Sequence, residues 1–433
     1  MHTPKKTLLL LLVAILSTQQ LLMAQENHTT DSIFREAAKL STDTARVNFY
    51  SGYVSERLAQ SRGRKGNMDG LDTYSLEALK LSEQTGYTEG KATACYNLGT
   101  ICWHREDYRQ AAKYYIEALV YNKELDNIKQ QAFIAYLIGL CEYRSGMYGE
   151  ALEYYSLALV YSKEANDASL MFRCYSAIDA AFFSLHDYAS ERQTGMEAIE
   201  LARETGNASQ EAEFSLSAAD ANKLLGDTLT AMQYYDRAKE LYKELGENTH
   251  MVKVLINSST IYGPGSPKKL ALLEEAVGLL QGINPPTQIS LTYLSHACVN
   301  IGRWHTFNGN YQAAQESYDQ AMKAIERAGN KYQAIFVYTQ ATQFYFDQGK
   351  YTKAKQLAEY TIDLINKHVG QNHSFDIALK ILSSIYEGEG NYKNAYKTLQ
   401  QWSRVNDSIQ AKSQREELEK ANRRYEFERY RQG

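Results

Sequence analysis

The fold is decided by residues 97–122, NLGTICWHREDYRQAAKYYIEALVYN, which recur in altered form as residues 137–162, LIGLCEYRSGMYGEALEYYSLALVYS. The second segment follows the first at a period of about 40 residues, and its glycine, tyrosines and alanines keep the same spacing. A fixed period of this size is typical of proteins built from stacked copies of one supersecondary unit. The same frame fits copies that begin near residues 52, 92, 132, 172, 212, 252, 295, 335 and 376.

Each copy is predicted to form two amphipathic helices, because its apolar residues follow a 3.6-residue period. Alanines in the second helix let neighbouring helix axes approach, and tyrosines fill the space between helices with their hydroxyl groups at the edge. One such hairpin cannot bury its own apolar face, so the copies must stack. A glycine also precedes the second helix, where the backbone must turn sharply, as Gly66, Gly146, Gly226, Gly309, Gly349 and Gly390.

This pattern resembles the tetratricopeptide repeat family, whose hairpin has Leu-Gly in the first helix and then Gly, Tyr, Ala, an aromatic residue and Ala at these offsets. The resemblance covers roughly residues 52–402. It implies an all-α, right-handed superhelical solenoid of about nine helical hairpins. The period here, about 40 residues, is longer than the family's period of about 34 residues. The family's closing proline is replaced by stop signals such as Thr85-Gly86 and Asp126-Asn127.

Breaks in the pattern predict the domain organisation. Gly263-Pro264-Gly265-Ser266-Pro267 and the consecutive prolines Pro285-Pro286 interrupt the sixth copy. They favour two stacks with a bend between them; a single continuous superhelix with one long loop is the alternative. The predicted segments are a signal peptide at 1–24, a tail and capping helix at 25–51, repeats 1–6 at 52–282, repeats 7–9 at 289–402 and a charged helix at 403–433.

The first 24 residues have the pattern of a secretory signal peptide. Lys5 and Lys6 precede the apolar run from Leu8 to Leu16, and Ala24 offers a small residue before a cleavage site. A membrane anchor is the alternative, but the apolar run is much shorter than the ~20 residues that a spanning helix needs. We therefore expect an exported protein, periplasmic or secreted, with no membrane span after cleavage. The net charge of −4 does not indicate a basic surface that would bind nucleic acid or anionic lipid.

The charged C-terminal segment and the cysteines leave alternatives open. Residues 407–433 have few apolar positions, so they form either a coiled-coil stalk, through which the chain could dimerise, or a solvated terminal helix. The five cysteines cannot all pair within one chain. We expect them to be buried apolar residues, and Cys102 with Cys141 is the one pair to test.

No motif for catalysis is present. The sequence contains no P-loop, no H-E-x-x-H, no G-x-S-x-G and no dinucleotide fingerprint. The nine histidines do not cluster at metal-ligand spacing. We therefore expect no enzyme activity, no cofactor and no bound metal.

Recognition of a protein or peptide is the function that the resemblance implies, because the first helices of tetratricopeptide arrays line a groove. Aromatic residues bury area at low entropic cost, and amides can pair with a peptide backbone. The alternative is that these aromatic residues only pack the core. The candidate groove residues are Tyr96, Asn97, Trp103, His104, Phe133, Tyr136, Tyr143, Phe183, Asn300, Arg303, Gln340 and Gln343.

The chain is similar to the periplasmic part of Bacteroidetes regulators, in which a signal peptide and tetratricopeptide repeats precede a charged helix, a membrane span and an output domain. The resemblance implies the sensor region of a signalling regulator. A free-standing periplasmic or secreted adaptor is the alternative. A nutrient-binding outer-membrane component fits less well, because no cysteine lies near the signal cut.

Overall fold

The structure, a computed structural model, describes residues 32–61, 70–368, 373–407 and 410–411. Within those ranges every regular element is a helix. The helices form two compact units, which divide between Leu185 and His186.

The first unit contains eight described helices. They are α1 (32–38), α2 (Asp43–Ser61), α3 (Leu71–Thr85), α4 (Thr88–His104), α5 (Tyr108–Glu124), α6 (Ile128–Arg144), α7 (Tyr148–Glu164) and α8 (Ala168–Leu185). Successive helices from α2 to α8 pack against each other, and α4 also packs on α2 as α8 does on α6. Helices α2, α4, α6 and α8 are the first helices of successive hairpins, and two neighbouring pairs of them, α2 with α4 and α6 with α8, are in contact.

The second unit continues the same alternation. It contains α9 (Tyr188–Glu204), α10 (Ala208–Leu224), α11 (Thr228–Glu244), α12 (Asn248–Ser259), α13 (Pro267–Gln281), α14 (Gln288–Phe307), α15 (Tyr311–Ala328), α16 (Lys331–Asp347), α17 (Tyr351–His368), α18 (His373–Gly388) and α19 (392–407). The predicted period is confirmed, because first helices begin at equal intervals along the chain, at Thr88, Ile128, Ala168, Ala208, Asn248 and Gln288.

Left-handed backbone at the turns explains the spacing of the glycines. Gly146 and Gly226 have φ angles of 79° and 84°, in a region that side chains rarely tolerate. In the turn between α4 and α5 the same role falls to Glu106, whose φ is 63°. The carboxylate of Asp107 then accepts a hydrogen bond of 3.1 Å from the backbone N–H of Gln110, which caps α5.

The glycine that follows Leu98 or Ile138 in the first helix makes room for a tyrosine of the second helix. A Cβ atom on Gly99 would lie 2.7 Å from the ring of Tyr115, and one on Gly139 would lie 2.5 Å from the ring of Tyr155. Both tyrosines are almost fully buried. The repeated glycine and tyrosine are therefore one packing contact, which sets how closely the two helices of a hairpin approach.

The chain departs from the predicted boundary at residue 51. Helix α2 begins at Asp43, inside the segment assigned to a capping helix. The hydroxyl of Thr42 accepts a hydrogen bond of 3.1 Å from the N–H of Ala45, which is the pattern of a helix N-cap. Val47 and Val54 are fully buried from α2, so this helix already belongs to the stacked core.

The predicted division near residues 283–288 is also corrected, because these residues lie inside the second unit. Leu294 of α14 packs against the apolar clusters on both sides of this segment. Pro267 stands in the first turn of α13, a place that accepts proline without loss of a hydrogen bond. The prolines thus mark helix ends without interrupting the core.

The predicted boundary at residue 403 falls within α19, which continues to residue 407. Val405 is buried in the same cluster as Phe375 and Ile385 of α18, and this contact extends the helix beyond the boundary. The predicted signal peptide at 1–24 and most of the charged segment 407–433 lie outside the described residues.

Candidate functional site

The first unit contains a cleft between the first helices of two successive hairpins, α4 and α6. Its volume is about 690 Å³. Two predicted groove residues, Tyr96 and Phe133, are in its wall, and we refer to it as the α4–α6 cleft. Its lining consists of Ser55, Glu89, Ala92, Thr93, Tyr96, Asn122, Leu125, Asp126, Asn127, Gln130, Phe133 and Ile134.

Tyr96 and Phe133 form the aromatic part of this lining. Their ring centroids lie 6.5 Å apart, and the Tyr96 ring lies 5.9 Å from that of the buried Tyr115. Both Tyr96 and Phe133 are half-buried. Burial raises the pKa of the Tyr96 phenol, so the hydroxyl stays neutral at physiological pH. Partly open rings in a concave site can take an apolar or a cationic group.

The polar part of the lining comes from the start of α4 and from the turn before α6. Asn127 accepts a hydrogen bond of 3.3 Å from the N–H of Gln130 and so caps α6. Asp126 precedes it with a φ of 53°. Glu89 accepts a hydrogen bond of 3.1 Å from the Tyr87 hydroxyl. Within the described part of the chain, neither Glu89 nor Asp126 forms an ion pair.

The assignment of Asn97 to a groove is corrected by its burial. Asn97 has no exposed surface. Its amide donates a hydrogen bond of 3.2 Å to the carbonyl of Ser51 and accepts one of 3.1 Å from the hydroxyl of Ser55. Both partners are on α2, so Asn97 joins two first helices and is unavailable to a partner.

Trp103 and Tyr143 pack within their own hairpins. The Trp103 ring lies 5.0 Å from that of Tyr108, and the Tyr143 ring lies 5.2 Å from that of Tyr148. In each pair an aromatic residue at the end of a first helix contacts the tyrosine that opens the second. Tyr143 also shares a hydrogen bond of 3.1 Å with Ser184 of α8. These contacts give Trp103 and Tyr143 a packing role.

Tyr136 is also a packing residue, because it is only 9% exposed. Its ring lies 5.8 Å from that of Tyr155 on one side, and the Arg173 guanidinium lies 4.6 Å from its centroid. The structure does not bring the remaining two residues of the first unit, His104 and Phe183, into the α4–α6 cleft. His104 is half-buried at the end of α4, and Phe183 is 51% exposed near the end of α8.

The second unit brings three predicted residues together in a smaller pocket of about 330 Å³. Asn300 is absent from this pocket, because its amide donates to the carbonyl of His296 in its own helix at 3.1 Å. The lining consists of Pro264, Lys269, Arg303, Trp304, Thr306, Phe307, Tyr318, Gln340, Gln343, Phe344 and Asp347.

Lys269 and Arg303 give the pocket of the second unit a positive side. Burial lowers the pKa of the Lys269 ammonium, and the nearby Arg303 lowers it further. The carboxylate of Asp347 accepts a hydrogen bond of 2.8 Å from the side chain of Gln343. Asp347 therefore holds one of the two glutamines that a ligand could meet.

Three functional candidates, Glu89, Asp126 and Lys269, were missed from the sequence. The packing contact of Arg173 with Tyr136 was missed as well. Asp126 was interpreted only as a helix stop signal, although the turn also contributes to the cleft. Arg173 stands one repeat period after Phe133, so the repeat register would have found it. Lys269 follows the proline-rich break, and nothing in its spacing indicates a pocket.

The five cysteines are unpaired, including Cys102 and Cys141. Burial raises the pKa of the Cys141 thiol to about 12. Among the described residues, no group of three or more His, Cys, Asp or Glu is placed to hold a metal ion. None of the described helices combines the length and the apolar character needed to span a membrane.

Comparisons with known proteins agree with this architecture. The family model described as Tetratricopeptide repeat matches residues 94–126 and 297–331. The crystal structure of the apo form of RapI is similar over 82% of this chain and 95% of its own, with 13% sequence identity and a TM-score of 0.57. No curated protein matches the sequence.

A second similar structure is that of a signal transduction ATPase with numerous domains (STAND) protein with a tetratricopeptide repeat sensor from Pyrococcus horikoshii. It covers 83% of this chain with 14% identity and a TM-score of 0.50, and this chain spans 56% of its length. At such identities the likeness shows the fold alone. The chain is an all-α protein of stacked, tetratricopeptide-like helical hairpins, and the repeat itself is matched at residues 94–126 and 297–331.

Proposed function

We propose that this protein binds an extended segment of a partner protein or peptide, and that the α4–α6 cleft is the principal contact in the first unit. The observation that carries the proposal is the pair of half-buried rings, Tyr96 and Phe133, in an open cleft of about 690 Å³. A volume of this size accommodates several side chains. Rigid aromatic residues in such a cleft supply contact area at little cost in conformational entropy.

The rest of the lining suits a peptide better than a small apolar ligand. Asn127 and Gln130 are exposed at the edge of the cleft. Amide side chains can donate to and accept from the backbone of an extended peptide. Gln340 and Gln343 offer the same chemistry in the pocket of the second unit. Each unit therefore presents aromatic rings beside amides on its first helices.

For the cellular role, we propose an exported protein that acts as the sensor or interaction region of a signalling regulator. The N-terminal pattern of Lys5, Lys6 and an apolar run supports export. A free-standing periplasmic or secreted adaptor is the second candidate, and the same pattern supports it equally. Sequencing the N-terminus of the mature protein tests export, since cleavage after Ala24 is expected and an intact Met1 would contradict it.

Selection of peptides on the full mature chain tests the binding proposal. Random nonapeptides displayed on phage are enriched on the immobilised protein, and the enriched peptides are then titrated in solution. The variant Tyr96→Leu with Phe133→Leu is expected to weaken binding at least tenfold while the helical circular dichroism persists. Val120→Ala with Val160→Ala is the control, because these residues are 51% and 58% exposed on second helices. Failure to enrich any peptide, or equal loss in both variants, would refute the proposal.

A further inference from the structure

We propose that the α4–α6 cleft selects peptides with a basic side chain, arginine above lysine, whose cationic head lies against the ring of Tyr96 near the carboxylates of Glu89 and Asp126. This inference rests on the proposed function, since it names the chemistry of the segment bound there. Three observations carry it: an internal precedent, the charge of the lining, and the contrast with the pocket of the second unit.

The precedent is the contact that Arg173 makes one hairpin further along. Its guanidinium lies 4.6 Å from the ring centroid of Tyr136 and 5.5 Å from that of Phe133. Tyr136 stands one repeat period after Tyr96, so the two tyrosines occupy the same position of successive repeats. A planar guanidinium stacks on an aromatic face better than an ammonium does. In the following repeat, the chain itself therefore places an arginine on the ring of the equivalent tyrosine, Tyr136.

The equivalent contact between α4 and α6 has no cation. The residue equivalent to Arg173 is Phe133, whose ring lies 6.5 Å from Tyr96. No lysine, arginine or histidine lines the α4–α6 cleft. Among the described residues, no cation is positioned over the Tyr96 ring. Arg173 lies near the Phe133 ring, whereas the Tyr96 ring has no cation over it within the described residues and can receive one from a bound peptide.

The charge of the lining agrees with this assignment. Glu89 and Asp126 are the only carboxylate side chains among the lining residues, and neither is ion-paired in the described part of the chain. Asp126 is fixed in a tight turn with a φ of 53°. A guanidinium on Tyr96 would be attracted by both carboxylates, whereas an acidic side chain would be repelled.

The pocket of the second unit provides a contrast within the same chain. It also has aromatic walls, including Trp304 and Phe344, but its charged residues are Lys269, Arg303 and Asp347. The net charge of its lining residues is therefore positive, whereas that of the α4–α6 cleft is negative. A basic side chain is disfavoured beside Lys269 and Arg303, so of these two sites the α4–α6 cleft is the one that suits it.

The test compares peptides that differ only in charge. Arginine-containing nonapeptides from the selection are resynthesised with citrulline, a neutral isostere, and with lysine. Fluorescence anisotropy on the full mature chain should show the arginine peptide binding about 2- to 30-fold more tightly than the citrulline peptide, the range expected for a cation on an aromatic ring. The lysine peptide should lie between them.

Two double variants test whether the difference in affinity between arginine and citrulline peptides arises in the α4–α6 cleft. Glu89→Gln with Asp126→Asn should reduce the difference between arginine and citrulline peptides, because it removes the attraction of the carboxylates and keeps the Tyr96 ring. Glu164→Gln with Glu200→Gln removes the same charge from exposed positions outside the cleft, and should preserve the difference. Circular dichroism and the melting temperature of each variant establish that the fold is intact.

The outcomes separate this inference from the proposed function. Enriched peptides without a preference for basic residues, or equal affinity for arginine and citrulline, would overturn the inference and leave peptide binding standing. A preference for arginine that is as large in Glu89→Gln with Asp126→Asn as in the wild type would overturn the assignment to this cleft. Absence of any enriched peptide would overturn both.

Discussion

The guanidinium of Arg173 lies 4.6 Å from the ring centroid of Tyr136 and covers one face of that ring. Tyr96 is the equivalent residue of the preceding repeat, and no cation of the described chain lies over its ring. The two tyrosines share a repeat position but differ in their neighbours. Between α6 and α8 the chain supplies its own cation, and between α4 and α6 it supplies Phe133. A difference at one position of neighbouring repeats thus separates a packing contact from a candidate binding site.

Replacing Arg173 by methionine removes this cation while keeping an unbranched apolar stem. Because Arg173 is exposed, we expect a loss of about 0.5–1 kcal/mol in the free energy of unfolding. Urea denaturation followed by circular dichroism measures it, with Arg173→Lys expected to lose less. An unfolding free energy equal to that of the wild type would show that the contact does not stabilise the unit.

Gly139 and Gly149 offer a matched pair for the packing between helices. A Cβ atom at residue 139 would lie 2.5 Å from the Tyr155 ring, so Gly139→Ala should destabilise the protein by about 1–3 kcal/mol. A Cβ atom at residue 149 meets nothing within 4 Å. Gly149→Ala should therefore be stabilising, by up to about 1 kcal/mol, because alanine favours the helix.

Thermal unfolding of these two variants decides whether the repeated glycine of the first helix, Gly139 in this copy, is a packing requirement. Equal melting temperatures for Gly139→Ala and the wild type would mean that the Tyr155 ring moves aside without cost. The interpretation of the repeat as one glycine–tyrosine contact would then fail.

His296 gives the second unit a predictable dependence on pH. Burial lowers the pKa of its imidazole, and the hydrogen bond of 2.8 Å with Gln333 only partly offsets this. The neutral ring is therefore favoured in the folded state. Its contribution to stability is fully present above the unfolded pKa of about 6.5 and is lost as the pH falls through the lower folded value.

The melting temperature should consequently fall more between pH 7.5 and pH 5.5 in the wild type than in His296→Gln. Glutamine retains a polar group near Gln333 but cannot take up a proton in this range. The same fall in both proteins would show that His296 does not contribute to the acid sensitivity of the fold.

Much of the fold could be predicted from the sequence, because the repeat fixes helices and turns by the same residues in each copy. The left-handed turns at Gly146 and Gly226 are examples, since glycine is the residue that such backbone favours. The start of α2 was missed because Thr42 and Asp43 precede the first recognisable copy. The division between Leu185 and His186 was missed because no proline or glycine run marks it.

The candidate site was only partly predictable, and Tyr96 and Asn97 show why. Both were assigned to the groove, yet Tyr96 lines the cleft while Asn97 is buried against α2. Successive residues point about 100° apart around a helix, so one position separates the two environments. Which sector faces the neighbouring hairpin depends on how the hairpins stack, and the sequence of one helix does not contain that information.

Binding of an extended segment in the α4–α6 cleft is the central claim, and hydrogen–deuterium exchange on the purified full chain tests it most directly. With a selected peptide at saturating concentration, backbone amides of residues 88–97 and 122–134 should exchange more slowly, because these ranges contain most of the lining. The Tyr96→Leu, Phe133→Leu variant should lose this protection at the same peptide concentration. Peptide binding that leaves exchange in both ranges unchanged, or that protects only other helices, would contradict the account.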